Sequence, residues 1–186
     1  MSTLYKSVFV LLVMCGSIIA SEQIDTLRDM YRDEGLKVPD RNHFTNGYSS
    51  KYFSSWEIGN RDNTDFTWYL ANGAFWWSMD NIREAVGGQI VLNSTYRNPF
   101  HNNDEGGEDD SLHQYGNAAD ARKFNGVKWS EMNDAQKQKI RDHIQEAEIT
   151  LKAEYGDAYF LDIDESDSRY LHIELMNYCD YPDNYS

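Results

Sequence analysis

Apolar residues recur at three- and four-residue steps in two long stretches of the chain, which is the spacing of amphipathic helices. The first stretch extends from Thr67 to Val86 and ends at Gly87-Gly88, where glycine favours a helix C-terminus. The second extends from Asn133 to Leu151. Its inward face is expected to comprise Ile140, Ile144, Ala147 and Leu151. A weaker pattern with the same period predicts a third helix over residues 23–35.

Shorter segments show the composition and alternation of strands. Gln89–Tyr96 is rich in Ile, Val and Leu and predicts one strand. Ala158–Asp164 and Tyr170–Leu175 alternate apolar and polar residues on either side of a short turn, which predicts a β-hairpin. Asn98–Ser111 contains a proline, two glycines and five acidic residues and is predicted to be an exposed loop. Residues 38–63 are predicted to be irregular, and the mixture of elements indicates a single α+β domain.

The length and charge of the chain limit the kinds of protein it can be. Its 186 residues suffice for one domain of ordinary size. A net charge of −14 at neutral pH repels phosphate backbones and disfavours nucleic-acid binding. We expect a monomer that binds neither nucleic acid nor, once its leader is removed, membrane.

The N-terminus has the three parts of a secretory signal. Lys6 supplies positive charge, Val8–Met14 is apolar, and Ala20 is a small residue suited to cleavage. The apolar run is shorter than the roughly 20 residues that a membrane-spanning helix requires. We therefore predict a signal peptide over residues 1–20 and a secreted, extracellular protein, or a periplasmic one in a bacterium.

The stretch SLHQYGNAADAR, Ser111 to Arg122, contains a candidate pair of metal ligands. His113 and Asp120 are seven residues apart, so a regular strand would direct them to opposite faces. Gly116 lies between them and permits a turn or bulge that brings both to one point. The spacing alone is weak support, because a surface histidine followed by a turn has the same pattern.

The wider sequence resembles the D-alanyl-D-alanine carboxypeptidases and murein endopeptidases of peptidase family M15. That family's pattern is similar to S-G-Y-R-S-P, a loop with N and G-G, then S-x-H-x-x-G-x-A-x-D, and finally H-x-D or H-x-E on a strand. The matching positions are Ser94, Tyr96, Arg97, Pro99, Asn102, Gly106-Gly107, Ser111, His113, Gly116, Ala118, Asp120 and His172-Ile173-Glu174. The S-L-H-x-x-G-x-A-x-D part also resembles the signalling domain of hedgehog proteins.

The resemblance implies a hedgehog/DD-peptidase-like fold, with an antiparallel sheet and flanking helices, over residues 50–179. Residues 21–49 would then be an N-terminal extension and residues 180–186 a C-terminal tail. It implies one zinc ion bound by His113, Asp120 and His172, a ligand set that suits zinc. It also implies that Arg97 holds either the substrate's terminal carboxylate or the oxyanion of the reaction.

The carboxylate that moves protons during hydrolysis is less well defined by the resemblance. Many relatives place it three residues before the second histidine, where this chain has Arg169. Glu174 shares a strand face with His172 and is the first candidate, either as base or as a partner that orients the histidine. Asp167 and then Asp164, in or beside the preceding turn, are the alternatives.

The function implied by the resemblance is that of a secreted zinc metallopeptidase. Its substrates would be peptidoglycan-derived stem peptides, and it would hydrolyse their D-amino-acid-containing bonds by zinc-activated water. Either a D-Ala-D-Ala carboxypeptidase or a murein endopeptidase fits. Arg169 at the position of the usual base favours an alternative, a non-catalytic zinc-binding recognition domain of the same fold. A secreted binding module without a metal is the third hypothesis.

Overall fold

The computed structural model describes residues 19–60 and 66–177. In these ranges the α-helices are α1 (residues 19–33), α2 (Gly73–Val86), α3 (Pro99–Asp104) and α4 (Asp134–Tyr155). The strands are β1 (Phe44–Thr45), β2 (Tyr69–Leu70), β3 (Ile90–Ser94), β4 (Ala118–Phe124), β5 (Val127–Lys128), β6 (Tyr159–Asp164) and β7 (Leu171–Asn177). The signal segment, apart from residues 19 and 20, and the C-terminal tail lie outside the described residues.

The strands form one main antiparallel sheet with the order β3-β4-β7-β6. The short strand β5 pairs with the end of β4, while β1 and β2 pair separately from this sheet. β6 and β7 form the hairpin that the alternation predicted. The α+β prediction, with an antiparallel sheet and flanking helices, is confirmed.

The two faces of β7 have different surroundings. Leu171, Ile173 and Leu175 are buried in the hydrophobic core, whereas the alternate residues His172, Glu174 and Met176 are only half-buried. Such alternation follows from the two-residue period of a strand. Helix α4 packs against α2 and β6. Its predicted inward residues, from Ile140 to Leu151, are all buried. The core therefore holds one face of the hairpin and leaves the other face free to form a site.

Helix α1 belongs to the same hydrophobic core. Ile24, Leu27, Met30 and Tyr31 are buried in it. The hydroxyl of Tyr31 donates a hydrogen bond to the backbone carbonyl of Gln114. The helix thus supports the segment that carries His113, although it lies far away in sequence.

Helix α2 begins six residues later than the apolar spacing predicted. The side chain of Asn72 accepts hydrogen bonds from the backbone N–H groups of Ala74 and Phe75 and caps the helix there. The capping amide accepts hydrogen bonds from N–H groups that have no acceptor within the helix. The helix therefore begins here, although the apolar spacing begins earlier. The preceding residues Tyr69–Leu70 form β2 instead. The predicted C-terminus is confirmed, because Gly87 adopts the left-handed conformation with φ of 69°.

The segment Asn98–Ser111 is not the wholly exposed loop that was predicted. It begins with α3, which Asn98 caps by accepting the N–H of His101 and which has Pro99 in its first turn. Asn102 is fully buried and donates from Nδ2 to the carbonyl of Glu108 at 2.9 Å. Pro99 and Asn102, two positions of the family pattern, thus have structural roles. The hydrogen bond from Asn102 folds the segment back on itself.

Gly116 occupies a position where both backbone conformation and space exclude a larger residue. Its φ is +70°, and a Cβ placed there would lie 2.3 Å from the carbonyl oxygen of Leu70. The tight turn at this residue connects the segment of His113 to β4. Within the described ranges, no helix combines the length and apolar character needed to cross a membrane.

Gly116→Ala is expected to destabilise the protein much more than Gly87→Ala. Both glycines have φ near 70°, but a Cβ at Gly87 meets nothing within 4 Å. The backbone term costs about 1–2 kcal/mol at either position, and the steric overlap adds about 1–3 kcal/mol at Gly116. Urea unfolding of both variants measures the difference. Equal losses of unfolding free energy would show that the contact with Leu70 is unimportant.

Candidate metal centre

A row of paired residues crosses the main sheet on the face opposite the core. The antiparallel register places Ser94 of β3 opposite Asp120 of β4 and Asp120 opposite His172 of β7. Asp164 of β6 completes the row, opposite His172. Directly paired residues have Cβ atoms about 5 Å apart. The register therefore brings Asp120 and His172 together although 52 positions separate them in sequence.

His113 reaches this row from a short 3₁₀ helix, Leu112–Tyr115, which precedes β4. The turn at Gly116 then directs the chain into β4. As a result Nε2 of His113 lies 3.3 Å from Oδ1 of Asp120. Both side chains are nearly inaccessible, with 3% and 2% exposure. The turn that the sequence suggested at Gly116 is confirmed.

Hydrogen bonds fix the orientation of both imidazole rings. Nδ1 of His113 donates to the backbone carbonyl of Thr95 at 2.6 Å, so Nε2 faces Asp120. His172 lies between two carboxylates, with Nδ1 2.9 Å from Oδ1 of Asp120 and Nε2 3.0 Å from Oε2 of Glu174. Metal-binding histidines commonly bind with one nitrogen and donate from the other to a carbonyl or carboxylate. Both rings have this arrangement.

The three side chains fit a zinc ion. One ligand atom from each of His113, Asp120 and His172 lies within 4.8 Å of the other two, and no other such group occurs among the described residues. Tetrahedral bonds of roughly 2.0–2.1 Å place ligand atoms about 3.3 Å apart. The separation between His113 and Asp120 equals this value at 3.3 Å. Two imidazoles and one carboxylate, with room for a fourth ligand, form the donor set of a catalytic zinc site.

Burial and hydrogen bonds shift the pKa values within the cluster in different directions. Burial lowers the pKa of His113 and favours the neutral imidazole that binds metals. Burial alone would raise the pKa of Asp120, but hydrogen bonds from His113 and His172 outweigh it and hold that pKa below its usual range. Burial opposes charge on His172 as well, yet contacts with Asp120 and Glu174 raise its pKa to about 9. The cluster thus stabilises positive charge between its two carboxylates.

Arg97 binds the outer oxygen of the central carboxylate. Its Nη2 lies 2.8 Å from Oδ2 of Asp120, and its Nε donates to the hydroxyl of Ser94 at 2.7 Å. The side chain of Arg97 is 13% exposed. Because Arg97 occupies Oδ2, Oδ1 of Asp120 is directed toward the two imidazoles. Arg97 therefore positions a candidate metal ligand.

The three candidate proton carriers have different partners. Glu174 contacts His172 through Oε2, and its Oε1 has no partner among the described residues. Asp164 accepts hydrogen bonds from the backbone N–H and hydroxyl of Ser166. Asp167 is ion-paired with Arg169, whose hydrogen bonds lower the pKa of Asp167 to about 2. Such a low pKa makes Asp167 a weak base.

The candidate metal cluster lines a cleft of about 360 Å³. The loop after α3 and the β6–β7 turn contribute its walls. A larger cavity of about 460 Å³ is lined by Leu175 and Asn177, which alternate with Glu174 along β7. That cavity contains none of the three candidate ligands, so the chemistry of the side chains points to the smaller cleft.

Two contributors to the site were missed by sequence reasoning. The carbonyl of Thr95 orients His113, and a backbone group leaves no signal in residue type. Ser94 was quoted only as part of a motif, but its hydroxyl holds Arg97. The remaining histidines, His43, His101 and His143, lie in other elements and do not join the cluster.

The chain thus has a candidate metal-ligand triad on an antiparallel sheet. Comparison with protein families identifies the family to which the chain belongs. The family described as Peptidase M15 matches residues 53–150, which is more than half of the chain. The chain therefore belongs to peptidase family M15, a family of zinc peptidases. The match includes Arg97, His113 and Asp120 and ends before His172. The observed architecture is consistent with the hedgehog/DD-peptidase-like fold.

Comparisons with curated proteins and with solved structures gave no match to this chain. The position of His172 in the site therefore rests on its register opposite Asp120 and on the resemblance of His172-Ile173-Glu174 to the family's last motif.

His113→Ala is expected to abolish stoichiometric zinc binding, because it removes one of three ligands from a buried site. Calorimetric titration with zinc measures the affinity, and the rise in melting temperature on adding zinc gives an independent reading. His143→Ala, in α4, is the control and should bind zinc like the wild type. Unchanged zinc affinity in His113→Ala would exclude the triad as the zinc site.

Proposed function

We propose that this member of peptidase family M15 is a zinc metallopeptidase that hydrolyses D-amino-acid-containing bonds of peptidoglycan stem peptides, as a carboxypeptidase or an endopeptidase. The observation that carries the proposal is the convergence of His113, Asp120 and His172 in the lining of an open cleft. The family match supports peptide hydrolysis, and the sequence resemblance supports the peptidoglycan substrate.

His113, Asp120 and His172 would hold a zinc ion, which would supply a Lewis acid for activating water and polarising the scissile carbonyl. The side chains of the protein supply the remaining functions. Thr95 and Glu174 keep the two imidazoles in a fixed orientation, and Arg97 does the same for Asp120. Arg97 also borders the cleft, where a permanently charged guanidinium stabilises developing negative charge on the substrate oxygen.

Glu174 is the residue that we assign to proton transfer. It lines the cleft and shares a strand face with His172, and its Oε1 has no partner within the described ranges. Asp167 is ion-paired with Arg169, and both oxygens of Asp164 accept hydrogen bonds from Ser166. Glu174 thus combines one oxygen that orients a ligand with a second that is free to accept a proton.

A non-catalytic zinc-binding recognition domain is the second candidate. Its support is Arg169, which stands three residues before His172, where many relatives have the base, and whose side chain is 76% exposed. The two proposals differ in whether Glu174 transfers a proton. A peptidase requires this transfer, whereas a recognition domain does not.

We further propose that the protein is secreted and acts as a monomer on peptidoglycan-derived peptides. The charged, apolar and small-residue parts of residues 1–20 support secretion. The net charge of −14 supports a partner other than nucleic acid.

Purified protein with zinc is expected to release products from muropeptides or from peptides ending in D-Ala-D-Ala, as measured by chromatography and mass spectrometry. A chelator should stop the release, and added zinc should restore it. His113→Ala should be inactive, because it lacks a ligand. Absence of any product from zinc-loaded wild type would argue for the recognition domain.

Glu174→Gln is expected to weaken zinc binding by about 10–100-fold, since it weakens the acceptor for His172. At saturating zinc, kcat should still fall by about 10²–10⁴-fold, because the amide cannot carry the proton. Asp162→Asn is the matched control, as Asp162 is paired with Glu174 across the hairpin and is exposed. Recovery of full kcat at saturating zinc would restrict Glu174 to orienting His172.

A further inference from the structure

The cavity of about 460 Å³ lies on the other face of β7 from the metal cleft. Leu175 and Asn177 line this cavity, whereas the alternate residues Glu174 and Met176 line the cleft. None of the three candidate metal ligands contributes to it. Its volume falls within the roughly 300–1,000 Å³ of sites that bind small organic molecules. The cavity is therefore a candidate ligand site separate from the metal centre.

The side chains around this cavity are polar but carry no fixed charge. None of its thirteen described lining residues is Asp, Glu, Lys or Arg, although these residue types make up 26% of the chain. Four of the thirteen are asparagines, among them Asn42 and Asn72, and three are tyrosines, among them Tyr48. A charged ligand would lose its hydration in such surroundings without gaining an ionic partner, so the lining favours a neutral ligand.

Two neutral hydrogen-bonding groups of the lining have no partner among the described residues. The side chain of Asn72 uses Oδ1 to cap α2, which leaves its Nδ2 donor unused. Tyr48 contributes its backbone carbonyl to a hydrogen bond from Tyr69, but its own hydroxyl has no partner in the described ranges. A Cβ on Gly73 would lie 3.7 Å from that hydroxyl, so both groups are near the start of α2. They can hydrogen-bond to a ligand without losing a contact within the protein.

A row of three aromatic rings connects the cavity with the protein surface. The ring centroids of Trp77 and Tyr155 are 5.7 Å apart, as are those of Tyr155 and Tyr159. Tyr159 lines the cavity, and Tyr155 is 41% exposed. The C–H groups on one face of a sugar ring are weakly positive and pack against the negative face of an aromatic ring. The row therefore offers a surface on which sugar rings can stack.

We propose that this cavity and the aromatic row of Trp77, Tyr155 and Tyr159 form a binding site for a neutral saccharide. Sugar hydroxyls both donate and accept hydrogen bonds, as do asparagine amides and tyrosine hydroxyls. The uncharged lining supplies these polar contacts, and the aromatic row supplies the stacking contacts. The site does not involve the candidate metal ligands, so the proposal does not depend on the peptidase function.

Calorimetric titration of the purified protein with tetrasaccharides tests the proposal at physiological salt, where long-range attraction to the acidic chain is screened. We expect saturable binding of at least one of two neutral probes, tetra-N-acetylchitotetraose and cellotetraose. The deacetylated chitotetraose, at a mildly acidic pH where its amines are charged, should bind about tenfold more weakly or less, because the lining offers no ionic partner. Absence of saturable binding of both neutral probes would overturn the proposal, as would equally tight binding of the charged one.

Two variants locate the binding. Tyr155→Ala removes the middle ring of the row and should weaken saccharide binding by about fivefold. Tyr48→Phe removes a single hydroxyl, leaves the ring in place, and should weaken binding by about threefold or more. Trp56→Ala is the matched control, since Trp56 is an aromatic residue with 58% exposure that does not line the cavity. Unchanged affinity in both tyrosine variants would exclude this cavity as the site.

Removal of zinc separates this proposal from the peptidase function. A chelator should leave saccharide affinity unchanged, because no candidate metal ligand lines the cavity. Loss of binding with the chelator would place the saccharide at the metal centre and contradict the proposal. Saccharide binding is measured without peptide hydrolysis, so either proposal can fail while the other holds.

Discussion

The antiparallel pairing of β4 with β7 is the constraint on which the candidate site depends. It places Asp120 directly opposite His172, and the next pair in the register, Ala119 with Ile173, turns inward to the core. A shift of one residue would exchange these faces and bury the ligands among apolar side chains. Packing of Leu171, Ile173 and Leu175 in the core thus also fixes the position of the candidate ligand His172.

The second constraint is the turn at Gly116, which delivers His113 to the same point. The segment before it is held by contacts from distant parts of the chain, including the hydroxyl of Tyr31 and the carbonyl of Thr95. The local turn therefore places the imidazole of His113 near Asp120, and the tertiary contacts fix the orientation of the ring. Both are needed, since a ligand that is free to rotate loses affinity for its metal.

Electrostatics connects the architecture to the proposed activity. The cluster pairs each charged group with a partner: Arg97 with Asp120, and His172 with both Asp120 and Glu174. Beyond this paired centre, Glu108, Asp110, Asp164 and Asp167 line the cleft. The candidate metal centre thus balances its own charges, and further carboxylates surround it.

The sequence by itself determined the α+β class, the hairpin and the inward face of α4, because these depend on periodicity, and its resemblance to peptidase family M15 implied the candidate ligands. The predicted start of α2 at Thr67 and the predicted loop over Asn98–Ser111 were wrong, since the capping amides of Asn72 and Asn98 outweighed apolar period and composition. Only the tertiary structure decided that the carbonyl of Thr95 orients His113 and that Asp120 lies opposite His172. Those facts depend on strand register and backbone groups, which connect residues far apart in sequence.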